Sequence, residues 1–194
     1  MLETESRSDR AELLEARAQS LLVDAQLGLA DAIGELLALY GPRIEGTCRL
    51  ICASEEDAKD AAQEARIDIL RGLAKFQGRS KLTTWLHVVT TRAAMRTSQK
   101  RRRIMTREPM LDDDTAAVPA PAASEADPGT SERVRRALAM LRPEVRRIVV
   151  LRDYLDVGYD DIARELDMTE SHVRVTLTRA HKALRAVLAG VADV

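Results

Sequence analysis

Between Tyr159 and Leu184 the chain reads YDDIARELDMTESHVRVTLTRAHKAL, two apolar-periodic segments set around a short polar break. Ile162, Ala163 and Leu166 share one helical face, Asp167-Met168-Thr169 interrupts it, and Val173, Leu177, Ala180 and Leu184 recur at three- and four-residue steps. Thr169 is a good N-cap for the second segment, and Glu170 follows in its first turn, where the helix dipole favours an acid. The remaining faces carry His172, Arg174, Thr178, Arg179, His181, Lys182 and Arg185. This spacing predicts a helix-turn-helix whose second helix is shaped for a DNA major groove. An ordinary helical hairpin with a solvated basic face has the same periodicity, so the rest of the chain must decide between them.

The composition narrows the fold class. Hydrophobic residues are 45% of the 194, aromatics only 3%, and charged residues 31%, with few glycines and prolines. Cores built from Leu, Ala, Val and Ile with so little turn chemistry predict an all-α protein of one or two small domains. The net charge of −1 argues against a general nucleic-acid coat protein. Cys48 and Cys52, four apart, fall on one helix face as reduced core thiols, with no nearby ligand to complete a zinc site. No cofactor and no metal are expected. No window approaches a membrane span and the N-terminus lacks a signal pattern, so the expectation is a cytoplasmic protein with no membrane insertion.

Residues 1–20 are polar, with a weak apolar stripe at Ala11, Leu14, Ala18, Leu21 and Leu22 that suits either a frayed extension or a docking helix. From Leu21 to Tyr40 the pattern is helical. Gly41-Pro42 then reads as a break, with Pro42 in the first turn of a helix over 43–53. Ser54 is an N-cap candidate, with Glu55, Glu56 and Asp57 in the first turn of a helix reaching about Lys75. Its Ala58, Ala61, Ala62, Ala65, Ile69 and Leu73 face inward, while Asp57, Asp60, Gln63, Glu64 and Asp68 line an outer ridge. Residues 76–81 form a loop, and Thr83-Thr84-Trp85 opens a helix that ends in SQKRRR. Its basic residues suit phosphate contacts. Residues 108–130 hold four of the six prolines and no Lys or Arg, a flexible acidic linker. Further short helices over 131–141 and 144–153 precede the helix-turn-helix. The domains expected are thus an extension over 1–20, a helical domain over 21–107, the linker over 108–130, and a helix-turn-helix domain over 131–194.

Two sets of residues give this order a specific look. The first is Tyr40-Gly-Pro-Arg-Ile44, then Asp57-Ala-Lys-Asp60-Ala-Ala-Gln63-Glu64, followed by Gly78-Arg79-Ser80 and Thr84-Trp85-Leu86. The second is Leu141-Arg-Pro143, Arg147, Gly158-Tyr159-Asp-Asp161-Ile162-Ala163, Leu166, Val173 and Arg179-Ala180. Together they resemble a bacterial RNA polymerase sigma factor of the extracytoplasmic-function type, in the sigma-70 superfamily. The chain departs from that pattern at Ile33, Leu82, Ala65-Arg66, Thr91, Ser171-His172 and Thr176.

The resemblance implies an alternative sigma factor that binds core RNA polymerase and promoter DNA, promotes DNA opening, and is held by an anti-sigma factor. Asp57, Asp60, Gln63 and Glu64 would dock on polymerase. Without the resemblance, the same acids read as dipole compensation at a solvated helix start. Arg79, Ser80, Lys81, Thr91, Arg92, Arg96 and Lys100 would engage the minus-ten element. Ser171, His172, Arg174, Val175, Thr178 and Arg179 would read the minus-thirty-five element, with Arg174 suited to a guanine and Val175 to a thymine methyl. Trp85 offers either a stacking platform or a core residue. The competing reading is a helix-turn-helix regulator that acts on duplex DNA without polymerase. No Ser/His/acid constellation or phosphate-cradling glycine loop suggests an enzyme.

Overall fold

A computed structural model describes residues 7–105 and 129–190, and every regular element among them is helical. The acidic linker expected over 108–130 therefore lies almost wholly outside the described residues.

The N-terminal run is a docked helix. Helix α1 (Arg7–Gln26) buries Leu14, Ala18, Leu21, Leu22 and Ala25 against the helices that follow. It continues through residue 20, where the sequence suggested an extension ending. It stops at Gly28, whose φ of +83° places it in the left-handed region at the C-terminus of the helix. Gly28 N–H donates to the Ala25 carbonyl (3.1 Å) and Leu29 N–H to that of Asp24 (3.0 Å), closing the helix end. The continuous helix expected over 21–40 is thus two helices.

Helix α2 (Ala30–Ile51) corrects the opposite expectation, because it runs straight through Gly41-Pro42. A proline inside a helix removes one backbone bond and costs about 3 kcal/mol. Pro42 is exposed, so the Ala38 carbonyl it deprives can turn to water. Meanwhile Leu36, Tyr40, Ile44, Cys48 and Ile51 form one uninterrupted buried stripe across the break. Burying side chains of this size contributes about 1.5–3 kcal/mol each, which exceeds the proline penalty.

Helix α3 (Glu55–Leu73) starts where its cap predicts. Ser54 Oγ accepts from Asp57 N–H (3.1 Å) and donates to Asp57 Oδ2 (2.7 Å), a reciprocal cap. Ala58, Ala61, Ala62, Ala65, Ile69 and Leu73 are buried, as their spacing required. This alanine-rich face lets α3 lie close along α4 (Leu82–Met105). Cys48 and Cys52 are buried and unpaired, and burial pushes both thiols up to about 12. Trp85 packs on Phe76, ring centroids 5.3 Å apart, and against Gly72, where a Cβ would meet it at 2.8 Å. It is a packing residue here.

The second unit comprises α5 (Thr130–Ala139), α6 (Pro143–Val149), a π-helical turn (Val150–Tyr154), α7 (Tyr159–Leu166) and α8 (Glu170–Gly190). The helix expected over 144–153 thus changes to π geometry at its end, and Leu155 N–H reaches back to the Val150 carbonyl (3.1 Å). Helix α8 packs on both α6 and α7, and α7 on the π-helical turn, forming the second core around Ile148, Leu151, Ile162, Val173 and Leu177.

Candidate nucleic-acid interface

The α7–α8 pair is built as the sequence indicates. Asp167 takes φ +54° to end α7, and Thr169 Oγ1 accepts from His172 N–H (3.2 Å) to start α8. Val173, Leu177 and Ala180 then point into the core, and Ser171, His172, Arg174, Val175, Thr178 and Arg179 are all exposed on the other faces. Val175 leaves 45% of its surface open, an aliphatic patch between charged neighbours. Arg174 is preset rather than free. Its guanidinium lies 4.0 Å from the centroid of the Tyr159 ring and donates to Glu170 Oε2 (3.4 Å). Arg152, over the same ring at 4.9 Å, is fixed in turn by Asp156 Oδ1 (3.1 Å) and the Val157 carbonyl (3.0 Å). Sequence spacing gave no sign of this stack, because the π turn that brings Arg152 to Tyr159 has no sequence signature of its own.

The first unit presents a groove between α3 and α4, lined by Asp57, Asp60, Gln63 and Glu64 on one side and Arg96, Lys100 and Arg101 on the other. Asp60, Gln63 and Glu64 are exposed. Asp57 differs from the expected outward ridge residue: it is 8% exposed, engaged by Ser54, and 4.0 Å from Arg101 Nε. Capping draws its carboxylate back toward the helix start. Arg96 is paired with Asp68 across the groove. The basic helix and the acidic ridge are therefore cross-linked at both ends of the groove.

Arg79, Lys81, Arg92, Arg96 and Lys100 are exposed, and Ser80 is half-buried. Thr91 stands apart from this set. It has 0% exposure, donates to the Val88 carbonyl (3.0 Å) and accepts from Arg147 Nε (3.2 Å). Thr84, His87 and Thr91 form one i, i+3, i+7 stripe of α4, which the second unit covers: Thr84 Oγ1 donates to Asp161 Oδ2 (3.3 Å). In this arrangement of the two units no base can reach Thr91.

Arg146 and Tyr154 complete the junction. Arg146 is buried; Nε donates to the Leu138 carbonyl (2.8 Å), Nη2 to those of Ala139 (2.7 Å) and Leu141 (3.2 Å), and Nη1 to that of Ile51 (2.8 Å). One guanidinium thus caps the C-terminal ends of α5 and α2, where helix dipoles favour a cation. Tyr154 lies over Gly46; a Cβ there would stand 2.1 Å from its hydroxyl, so this approach needs glycine. Burial, with Arg92 nearby, draws the Arg147 guanidinium down to about 10, still charged at neutral pH.

His87 is buried in the same seam with neither ring nitrogen hydrogen-bonded to protein, and its ring sits 5.8 Å from that of Tyr40. Burial, reinforced by the Arg43 charge, lowers it from 6.5 to about 3. The native state therefore holds neutral His87, while the unfolded chain takes up a proton below about pH 6.5. Stability from this group is complete above that pH and falls by about 1.4 kcal/mol per unit as the pH drops toward 3. Unfolding free energies from urea titrations at pH 7 and pH 5 should differ by about 2 kcal/mol in the native chain through this group. His87→Leu should remove that part of the difference; an unchanged difference would show that His87 gains water or a proton acceptor in the fold.

Residues 36–104 match the family description Sigma-70 region 2, and residues 131–184 match Sigma-70, region 4. The chain is 30% identical over 157 residues to the ECF RNA polymerase sigma factor SigM of Mycobacterium tuberculosis, covering 81% of this chain and 77% of that one. It is 24% identical over 161 residues to the RNA polymerase sigma factor CarQ of Myxococcus xanthus, covering 83% and 91%. In fold it is similar to CnrH, solved in complex with the cytosolic domain of CnrY, at a TM-score of 0.67 and 20% identity over 92% of this chain and 99% of that one. Among the described residues no helix is long and apolar enough to cross a membrane. Two sigma-70 regions, in the order and on the helices described above, place the chain in the extracytoplasmic-function family: it is an alternative sigma factor that acts with RNA polymerase.

Proposed function

We propose that the two units divide promoter recognition between them. The exposed face of α8 reads the minus-thirty-five element as duplex: Arg174 addresses a guanine edge, Val175 a thymine methyl, and Arg179 a phosphate, with Ser171, His172 and Thr178 as polar neighbours. The 78–81 loop and the outer face of α4 take the minus-ten element. Arg79, Lys81, Arg92, Arg96 and Lys100 hold phosphates, Ser80 lies beside the bases, and Thr91 joins them once the second unit lifts from α4. Asp60, Gln63 and Glu64 dock on core polymerase, with Asp57 behind them.

The observation that carries this reading is the clean division of α8, with three apolar residues buried and six candidate base and phosphate contacts exposed. The activity is recognition and strand capture, without catalysis by this chain, in the cytoplasm. Its inhibitory partner is an anti-sigma factor, as NepR is for the similarly folded sigma factor RpoE of Bartonella quintana, with which it was solved in complex. The duplex-only regulator is disfavoured because it leaves the α3–α4 groove without a role.

Purified core polymerase should transcribe members of a promoter library only when this chain is added; no stimulation on any promoter would sink the reading. Within that assay, Arg174→Ala should cost about 1–3 kcal/mol and relax preference at one minus-thirty-five position. Equal weakening at all sequences would make Arg174 a phosphate contact.

A further inference from the structure

Helix α1 lies outside both sigma-70 segments, yet it makes four hydrogen bonds to the ends of the loop between α3 and α4. Gln26 Nε2 donates to the Leu73 carbonyl (3.2 Å) and the Phe76 carbonyl (2.9 Å), where α3 ends. The Glu15 carboxylate accepts from Leu82 N–H through Oε1 (3.0 Å) and from Thr83 N–H through Oε2 (2.9 Å), where α4 begins. Between these two clamps lie Gly78, at φ +68°, and the exposed Arg79 and Lys81. The seam of Leu14, Ala18, Leu21, Leu22 and Ala25 holds α1 in register with both clamps.

We propose that α1 is a splint that presets the minus-ten loop, with Glu15 and Gln26 as positioning residues for promoter opening. The inference rests on the assignment of that loop to the minus-ten element. Two physical consequences follow from the geometry. Fixing both ends of a short loop removes conformational freedom that DNA binding would otherwise have to remove, which raises the productive fraction of holoenzyme without adding a contact. Glu15 also fills the N-terminal anion site of α4 with its own carboxylate. A DNA phosphate is therefore excluded from the helix end, and the loop's cations become its available partners. The bonds depend on reach: the Glu side chain spans from α1 to two successive amides, and one methylene less withdraws both oxygens.

The test uses the full chain in reconstituted holoenzyme and measures the rate of open-complex formation on one promoter, with core affinity and thermal melting measured in parallel. Glu15→Asp keeps the charge and loses the reach; Glu15→Gln loses the charge and keeps an acceptor at full length. Glu15→Asp and Gln26→Ala should each slow opening by about fivefold, the ratio that loss of one helix cap corresponds to, with core affinity unchanged. Glu15→Gln, whose single amide oxygen still reaches one of the two N–H groups, should slow opening less than Glu15→Asp does. The reverse order of the two Glu15 variants would mean that charge matters and reach does not, and would overturn the splint. So would a loss of rate matching the fraction of chain unfolded. Arg79→Ala with Lys81→Ala provides the control for the loop. If that pair slows opening while Glu15→Asp and Gln26→Ala do not, the splint alone is wrong. If the pair has no effect, the loop assignment itself fails and the splint with it.

Discussion

Arg146→Ala is expected to destabilise the second unit by about 3–5 kcal/mol, enough to leave it largely unfolded at 37 °C. The substitution removes the guanidinium donors to the carbonyls of Ala139, Leu141 and Ile51, and leaves that of Leu138 with only the backbone N–H groups of Met140 and Leu141. Each buried acceptor left without a partner costs about 1–3 kcal/mol, less whatever water can recover in the space vacated. A helical unit of this size has only about 3–9 kcal/mol in total. Arg146→Lys should recover a minority of the loss, because one ammonium cannot span acceptors at the ends of two helices. Urea unfolding followed by circular dichroism gives the answer directly. A loss below about 1 kcal/mol would mean that hydration replaces the guanidinium, and Arg146 would be a passenger at the junction.

Arg146 also marks the boundary of what the sequence makes legible. Features settled within a few residues were readable: the Ser54 cap, the alanine face of α3, and the Thr169 start of α8 each depend on a spacing of three or four. The exposed face of the recognition helix followed from the same periodicity. Features settled by distant partners were not. Pro42 breaks an isolated helix, and only the buried stripe on both sides of it carries α2 through. Gly28 did have a signal, a lone glycine after an apolar run, but the leucines around it masked the stop. Arg146 reads as one cation beside another, and Thr91 as an open polar position, until the second unit closes over α4. Glu15 and Gln26 sit in a stretch whose weak stripe fits two readings, and their partners lie 67 and 47 residues away. Tertiary hydrogen bonds of that separation leave no periodicity to detect.

Reversing the ridge with Asp60→Arg and Glu64→Arg together should lower affinity for core polymerase by about 100-fold or more, roughly 3 kcal/mol, while leaving the fold within about 0.5 kcal/mol. Both residues are exposed on α3, one helical turn apart on the same face, in the middle of the groove that Asp68–Arg96 and Asp57–Arg101 close at its ends. Those end pairs hold α4's cations against α3, so the acids that remain outward are the ones that can meet a positively charged partner. Asp57 supplies the contrast. It is drawn into the Ser54 cap and nearly buried, so Asp57→Ala should cost about 1 kcal/mol of stability with a smaller effect on polymerase affinity. Native affinity should also fall with added salt, as expected for exposed opposite charges, and the reversed variant should lose that dependence. The two readings of the ridge diverge here. If the acids serve only to offset the dipole at the start of α3, reversal at Asp60 and Glu64, beyond the first turn, would leave core binding intact. If they set register on polymerase, binding collapses while promoter contacts of the α8 face, tested on duplex DNA, remain as they were.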